Sequence, residues 1–390
     1  MFCPVCDSSQ TSIFFEMLNV PVFCNILWSE KQAAKNCQKG DIKLAFCSDC
    51  GFIYNADFDS NLLDYCPNYE NSLDFSPRFQ AYATSVAEGL IKKYHLYQKK
   101  IIEIGCGKGE FLSLLCELGD NWGVGFDPSY VEQPEKLNSG RDRVEFVQDV
   151  YSEKYRHHKG DFICCRHTLE HIEQPKHLLT LLRKNLDTSD QVPIFFEVPN
   201  AIDTFRRMAI WDIIYEHCCY FSPISLSYIF ASCGFNVKAI SEEFQGQFIT
   251  VEAEIGKDEI TFRHTDLDDL KTLCRDIDMF ARTFTNKLVA WQHKIKGIAD
   301  NRKKTVTWGA GSKGVTFLNL ISEQNTMEYI VDINPRKQGK YVAGTGQKIV
   351  QPEFLLEYQP DIIIVMNSVY KDEIKQQVHD LRLNSELMFV

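Results

Sequence analysis

A chain of 390 residues, 44% of them hydrophobic, is long enough for two or three separate cores, which excludes a disordered protein and points to several globular domains. Its formal charge of -11 excludes a general nucleic-acid binder, because a phosphate backbone would be repelled unless a local basic patch offset the field, so a small-molecule substrate is the expected partner. No apolar run approaches the roughly 18 residues a membrane span needs, and Met1-Phe2-Cys3-Pro4 lacks a basic leader, so a cytoplasmic protein without a membrane partner is expected.

The first chemistry along the chain belongs to cysteine. Most of the 15 cysteines, such as Cys164-Cys165 and Cys218-Cys219, sit in apolar runs and read as small buried hydrophobes in a reducing compartment. Four stand apart by spacing: Cys3-x-x-Cys6 and Cys47-x-x-Cys50 form two knuckles separated by a long loop, the pattern of a four-cysteine zinc ribbon. Four thiolates can hold a tetrahedral Zn2+, and the metal would contribute folding free energy to a segment short of apolar area. With all four positions filled by protein the zinc would be structural. Four unligated thiols are the plain alternative.

Residues 55–77 carry Asp, Asn, Ser and aromatic side chains without periodicity and read as a connecting or lid segment. From Phe79 through Ala87 and Leu90 to Tyr94 the pattern is helical, and strand then alternates with helix. Strands are expected at 100–104, 122–126, 161–165 and 193–198, with a helix at 110–118, which predicts an α/β fold with a mainly parallel, doubly wound sheet. Apolar residues at Leu267, Leu270, Leu273, Ile277, Phe280, Phe284, Leu288, Trp291, Ile295 and Ile298 recur every three or four positions and predict one long amphipathic helix or two in tandem. Strands at 304–308, 329–332 and 361–365 and a short final strand predict a second, smaller α/β domain. The expected division is 1–78, 79–258, 259–302 and 303–390.

The glycine-rich turn Gly105-x-Gly107-x-Gly109 follows the strand at 100–104 and opens a helix, so backbone can approach a ligand beside the positive helix end. Dinucleotide and methyltransferase sites share such a turn. Glu103 precedes the first glycine by two residues, where it suits the loop and a cationic ligand end, and Asp127 ends the next strand, where a carboxylate can accept from two ribose hydroxyls. The set Glu103-x-Gly105-x-Gly107-x-Gly109, Asp127, Asp149 after Phe146-Val147, and Arg166-His167-Thr168-Leu169-Glu170-His171-Ile172 resembles the class I S-adenosylmethionine-dependent methyltransferases. The resemblance implies that Asp149 lies near the adenine and that the backbone at Arg166 and His167 borders the methionine moiety. A nicotinamide-dependent oxidoreductase is the competing reading of the glycine turn.

Farther on, Tyr215-Glu216-His217 offers a general base, a carboxylate and a phenol. Such a triplet is also common as a plain polar loop, but this one follows Glu197-Val198-Pro199-Asn200, which should open at the carboxyl edge of the sheet where ligands bind. The whole layout resembles the three-domain C-methyltransferases of deoxysugar biosynthesis: the four cysteines, the central core with Tyr215-Glu216-His217, and a C-terminal Trp308-Gly309-Ala310-Gly311-Ser312-Lys313-Gly314 unit followed by Val331-Asp332 and Arg336. The resemblance implies methylation at C-3 of a nucleotide-linked 4-keto sugar, through an enolate that attacks the cofactor methyl. It makes His217 the base, Glu216 its orienting partner, Tyr215 and Tyr69 hydrogen-bonding groups on the sugar, and His171 a further polar wall. It also implies a degenerate C-terminal domain closing over the substrate, with Lys313 or Arg336 meeting a diphosphate; a true nucleotide site at Gly309-x-Gly311-x-x-Gly314 with Asp332 is the alternative. Two stretches depart from the family pattern, the acidic Tyr69-Glu70-Asn71-Ser72-Leu73-Asp74 loop and Val365-Met366-Asn367-Ser368. They keep open an O- or N-methyltransferase acting on another small metabolite, or a non-catalytic module that binds cofactor or nucleotide sugar.

Overall fold

The computed structural model describes residues 1–63, 68–132, 143–186, 191–256, 264–321 and 327–390. An N-terminal antiparallel sheet begins with β1 (Thr11–Pro21); after the short helix α1 (Lys31–Lys35) come β2 (Lys39–Cys47) and β3 (Ile53–Asn55). Side chains of β2 alternate between two cores, Ile42, Leu44 and Phe46 on one and Ala45 and Cys47 on the other, as the two-residue period of a strand requires.

Helix α2 (Pro77–Tyr94) starts where its sequence predicts, with Ser76 accepting from the Phe79 N–H and proline in the first turn, both of which satisfy or remove orphan donors. There follow β4 (Lys100–Ile104), α3 (Glu110–Gly119), β5 (Trp122–Phe126), β6 (Val144–Val147), β7 (Phe162–Arg166), α4 (Pro175–Asn185), β8 (Ile194–Pro199) and α5 (Ala201–Arg206). The two-residue strand β9 (Cys219–Tyr220) then crosses to pair with β3, tying the N-terminal sheet to the central unit. Helix α6 (Pro223–Ser232) and strands β10 (Phe235–Glu243) and β11 (Phe248–Ile255) complete a seven-stranded sheet in the order β10-β11-β8-β7-β4-β5-β6. Its five strands from β8 to β6 are parallel; β11 runs against both neighbours, because the one-turn link Phe244–Gly246 is too short for a parallel crossover. The fold class is α/β, and the strand order reverses between β4 and β7, the place where such sheets open a ligand crevice.

Helix α7 (His264–Asp300) is a single continuous helix, about 55 Å long at 1.5 Å per residue. Leu270, Leu273, Ile277, Phe280, Trp291, Ile295 and Ile298 are buried along it, and its aromatic face meets Phe15 and Phe205 at ring distances of 4.8 and 4.9 Å. The Leu267 side chain and the boundary expected at 258/259 lie outside the described residues. The C-terminal sheet is built from β12 (Thr305–Trp308), α8 (Ser312–Leu320), β13 (Met327–Val331), β14 (Lys348–Val350), α9 (Leu355–Tyr358), β15 (Ile362–Val365), α10 (Lys371–Asp380) and β16 (Glu386–Phe389). Its order is β14-β13-β12-β15-β16, all parallel, and the unbroken burial of Ile362, Ile363, Ile364 and Val365 is what a parallel strand covered on both faces demands. One apolar core joins Phe15 and Ile42 to Phe280 of α7 and to Phe317 and Ile330 of the C-terminal unit. Among the described residues no helix is long and apolar enough to cross a membrane.

Candidate active site

The strand order of the C-terminal sheet reverses between β12 and β15 just as that of the central sheet does between β4 and β7, and both reversals open on one cleft of about 1720 Å³. Gly105, Gly107 and Lys108 line it from the central unit, Gly309 and Lys313 from the C-terminal unit, and Tyr69 from the loop before α2.

The turn after β4 is shaped by its glycines. Gly105 has φ of 71°, and a Cβ there would stand 2.0 Å from the Thr168 Oγ1, so only glycine fits. Gly107, at φ 56°, would meet nothing within 4 Å: its backbone faces open cleft. Its N–H donates to Asp127 Oδ2 at 2.9 Å, while Asp127 Oδ1 accepts from the Ser129 N–H and hydroxyl, both at 2.7 Å. Asp127 thus ties the glycine turn to the end of β5. Glu103 is 2% exposed, and its Oε2 has no hydrogen-bond partner; burial lifts its carboxyl to about 8, against the pull of the nearby Arg166 guanidinium. An orphaned buried carboxyl beside bare backbone is a fitting receptacle for a cationic ligand end.

The other residues expected at the cofactor meet protein groups. Gly109 is the N-cap of α3 and faces Phe146, whose ring atoms would lie 2.3 Å from an added Cβ. Asp149 is held by Lys154, by the Tyr155 hydroxyl at 2.7 Å and by the Val150 N–H at 2.8 Å, and these contacts bring its carboxyl down to about 2; its neighbours Val150 and Tyr151 line the cleft instead. Arg166 and His167 do line the cleft, but their polar atoms converge on the fully buried Glu197. Arg166 Nη2 and His167 Nε2 each lie 2.8 Å from Glu197 Oε1, and the Tyr82 hydroxyl donates to Oε2. Burial alone would raise this carboxyl; Arg166 and His167 outweigh it and hold Glu197 near 2. Sequence reading missed Glu197 and Tyr82, and the acid inside the apolar run of β8 was the available signal.

On the acceptor side, the rings of His171 and His217 meet edge to face at 4.8 Å, and both line the cleft with Tyr69. Burial depresses both imidazoles, His171 to about 4 and His217 well below its usual value, so both are neutral near pH 7. His171 Nδ1 lies 3.0 Å from the Glu216 carbonyl, which can only accept, so Nδ1 carries the proton. Tyr215 and Glu216 are placed differently from the expectation. The Tyr215 hydroxyl accepts from the Asp59 N–H at 2.9 Å, and its ring stacks on Phe58 at 5.4 Å, away from the cleft. The Glu216 carboxylate accepts from the Cys24 N–H at 2.8 Å and bonds to Tyr69; burial raises it to about 7. Three consecutive residues of a turn project in three directions, so His217 alone of the triplet reaches the cleft, and Glu216 touches it only through Tyr69 and His171.

The C-terminal unit repeats the glycine-turn geometry. Asp332 accepts from the Ala310 N–H at 2.8 Å with one oxygen and from the Asn334 N–H at 2.8 Å with the other. The cations beside it have internal partners: Lys313 pairs with Asp212 at 2.6 Å, Arg336 with Glu70 at 3.1 Å, and Lys337 donates to Asn25 Oδ1 at 3.2 Å and the Ala310 carbonyl at 3.1 Å. Asn334 adds a second bond to Glu70 at 3.0 Å, so this acid of the divergent loop is a clasp between loop and C-terminal unit. In the N-terminal unit, Cys3 and Cys50 place their sulfurs 3.6 Å apart, as do Cys6 and Cys47, and all four lie within 4.8 Å of one another. A tetrahedral zinc with Zn–S of about 2.3 Å sets S···S at about 3.8 Å, so the cluster is compatible with that ion.

Residues 77–240 match the family model of a methyltransferase domain, and residues 253–389 match that of a C-methyltransferase C-terminal domain. Among solved structures, the chain is similar to magnesium protoporphyrin IX methyltransferase from Synechocystis with bound SAH, at 16% identity over 46% of this chain and 84% of that one, with a TM-score of 0.35. It is also similar to 1,6-didemethyltoxoflavin-N1-methyltransferase from Burkholderia thailandensis, at 13% identity over 47% of this chain and 83% of that one, with a TM-score of 0.35. No curated protein matches its sequence. With one of these domains built around the Gly105 turn and the other facing it across the cleft, the chain is an S-adenosylmethionine-dependent methyltransferase.

Proposed function

We propose that the enzyme methylates a carbon atom of a nucleotide-linked keto sugar, with His217 as the base. The observation that carries this reading is a neutral imidazole on the wall of the cleft, between the Gly105 turn and the basic side chains of the C-terminal unit. A proton on carbon beside a ketone is acidic enough for such a base. His217 takes it, the electron pair moves into the ketone as an enolate, and Tyr69 on the same wall is a hydrogen-bonding group for the sugar. The bound cofactor supplies the electrophilic methyl; when the enolate carbon takes it up, the ketone re-forms and one proton is left on His217. Glu103, Gly105, Gly107 and Asp127 hold the cofactor, Gly109 and Asp149 shape the walls behind it, and the Arg166–His167–Glu197 cluster fixes the floor. Lys313, Arg336 and Lys337 supply positive charge for a diphosphate.

The test is a binding screen with S-adenosylhomocysteine present, against nucleoside-diphosphate sugars with and without a 4-keto group. Tight binding of a keto-sugar nucleotide is expected; binding of none would remove this acceptor. One observation favours a second reading, an O- or N-methyltransferase on another small metabolite: Glu70 already occupies Arg336, a cation that a diphosphate would use. Locating the transferred methyl by NMR of the product decides between them.

The four-cysteine cluster is read as a structural Zn2+ site, and the remaining free thiols suit the reducing cytoplasm. Protein purified without chelator is expected to carry about one equivalent of zinc, and stripping the metal to unfold the N-terminal unit first. Less than about half an equivalent would count against a tetrathiolate site.

A further inference from the structure

Glu170 is a buried acid on the cleft wall that the proposed reaction leaves unused. It lies in the 3-10 turn Leu169–His171 after β7, is 2% exposed, and its Oε2 has no hydrogen-bond partner. An unpartnered oxygen on a buried carboxyl is costly, so its retention makes sense where a charge appears beside it during function. The place for that charge is adjacent: a Glu170 carboxyl oxygen and ring nitrogens of His171 and His217 all lie within 4.8 Å of one another. That is within reach of a small rotation or one bridging water. His171 is oriented by the Glu216 carbonyl.

The other groups around the pair explain why an acid is needed. His217 is faced by His171, His167 and Lys313, all of which oppose a proton on it. Glu170 is faced by Glu197 and lies near the thiols of Cys165, Cys218 and Cys219, with Glu173 beyond. Burial raises Glu170 to about 8, so it rests as the neutral acid beside neutral histidines.

Resting on the reading of His217 as the base, we propose that Glu170 is a positioning residue that keeps the base site neutral through the cycle. As His217 accepts the proton from the substrate carbon, the Glu170 carboxyl gives up its own proton to solvent through the cleft, and the resulting carboxylate pairs with the imidazolium. After methyl transfer the imidazolium proton passes back across that short gap to Glu170, which restores both neutral groups. One proton leaves per turnover, as the conversion of a sulfonium donor and a C–H acceptor into a thioether and a C–CH₃ product requires.

The test uses the full chain with its metal. Glu170→Gln should lower kcat and the exchange of the substrate α-proton with solvent deuterium by at least about tenfold while KM stays within about twofold, and Glu170→Asp should recover part of the loss. In NMR of histidine-labelled protein with a keto substrate and S-adenosylhomocysteine bound, the His217 imidazolium should be less populated in Glu170→Gln than in the parent. In the unmodified protein without substrate, infrared difference spectra should show a buried carboxyl C=O band at neutral pH that vanishes as pH rises past about 8 and is missing from Glu170→Gln. A folded Glu170→Gln protein with unchanged exchange and an unchanged imidazolium population overturns the proposal, as does the absence of that C=O band at neutral pH. A second metal equivalent lost in Glu170→Gln would overturn it in favour of a metal held by Glu170, His171 and His217. If no keto sugar is methylated at all, the reaction assigned above fails, whereas the infrared measurement still judges Glu170 by itself.

Discussion

Replacing His217 by alanine is expected to slow methyl transfer by about 10²- to 10⁴-fold, the usual contribution of a positioned general base, and to abolish solvent exchange of the acceptor's α-proton. The expectation rests on geometry before acidity: of Tyr215, Glu216 and His217, only the imidazole lines the cleft. Its depressed pKa, from burial first and then the neighbouring His171, sets the pH behaviour. A group that stays neutral to below its ordinary range keeps the base available, so the rate should hold through neutral pH and fall only at pH well below the usual histidine value of about 6.5. A cofactor-binding measurement on the same variant separates the base from the scaffold, since His217 stands on the acceptor side and affinity for S-adenosylhomocysteine should be nearly unchanged. Undiminished deuterium exchange in the variant would sink the assignment of His217.

What could be read from the sequence alone follows the range of the interactions involved. The glycine turn, the Asp127 that closes it and the two cysteine knuckles are local patterns in which neighbours in sequence are neighbours in space, and the structure brings together the residues that the spacing singled out. The period of Leu270 to Ile298 is likewise local, and one continuous helix results. Tyr215 shows where the local view ends. Adjacent to His217 in sequence, it turns its hydroxyl to Asp59, 156 positions away, because the short β9 draws this stretch onto the N-terminal sheet. Glu70 is the same lesson reversed: an acid that reads as an intruder in a sugar pocket is satisfied by Arg336, 266 positions later, a pairing that no spacing rule could anticipate. Arg166 and His167 stand out for the cofactor because they fall at the end of β7, and the acid they meet, Glu197, comes from the neighbouring strand.

That acid carries a large expected effect on stability. Glu197→Gln should destabilise the central unit by about 3–5 kcal/mol, because removing one partner of a fully buried ion pair leaves the other charge uncompensated. Arg166 would be stranded at 8% exposure, with its guanidinium 4.1 Å from the Phe111 ring as its remaining support. For a unit of this size the unfolding midpoint should drop by roughly 6–20 °C, read as the transition that S-adenosylhomocysteine shifts, since the chain need not unfold in one step. The sign with pH follows from the direction of the shift. Glu197 is held near 2 in the folded protein against an ordinary value of about 4.3 unfolded, so its contribution is present above the unfolded value and is lost as pH falls from about 4.3 toward 2. Glu197→Gln should therefore flatten the acid limb of the stability profile in that window. Changing Arg166→Met together with Glu197→Gln should cost less than the sum of the single changes, because the stranded charge is then gone. Additive losses would mean that the pair is incidental and that Tyr82 and His167 anchor Glu197 without it.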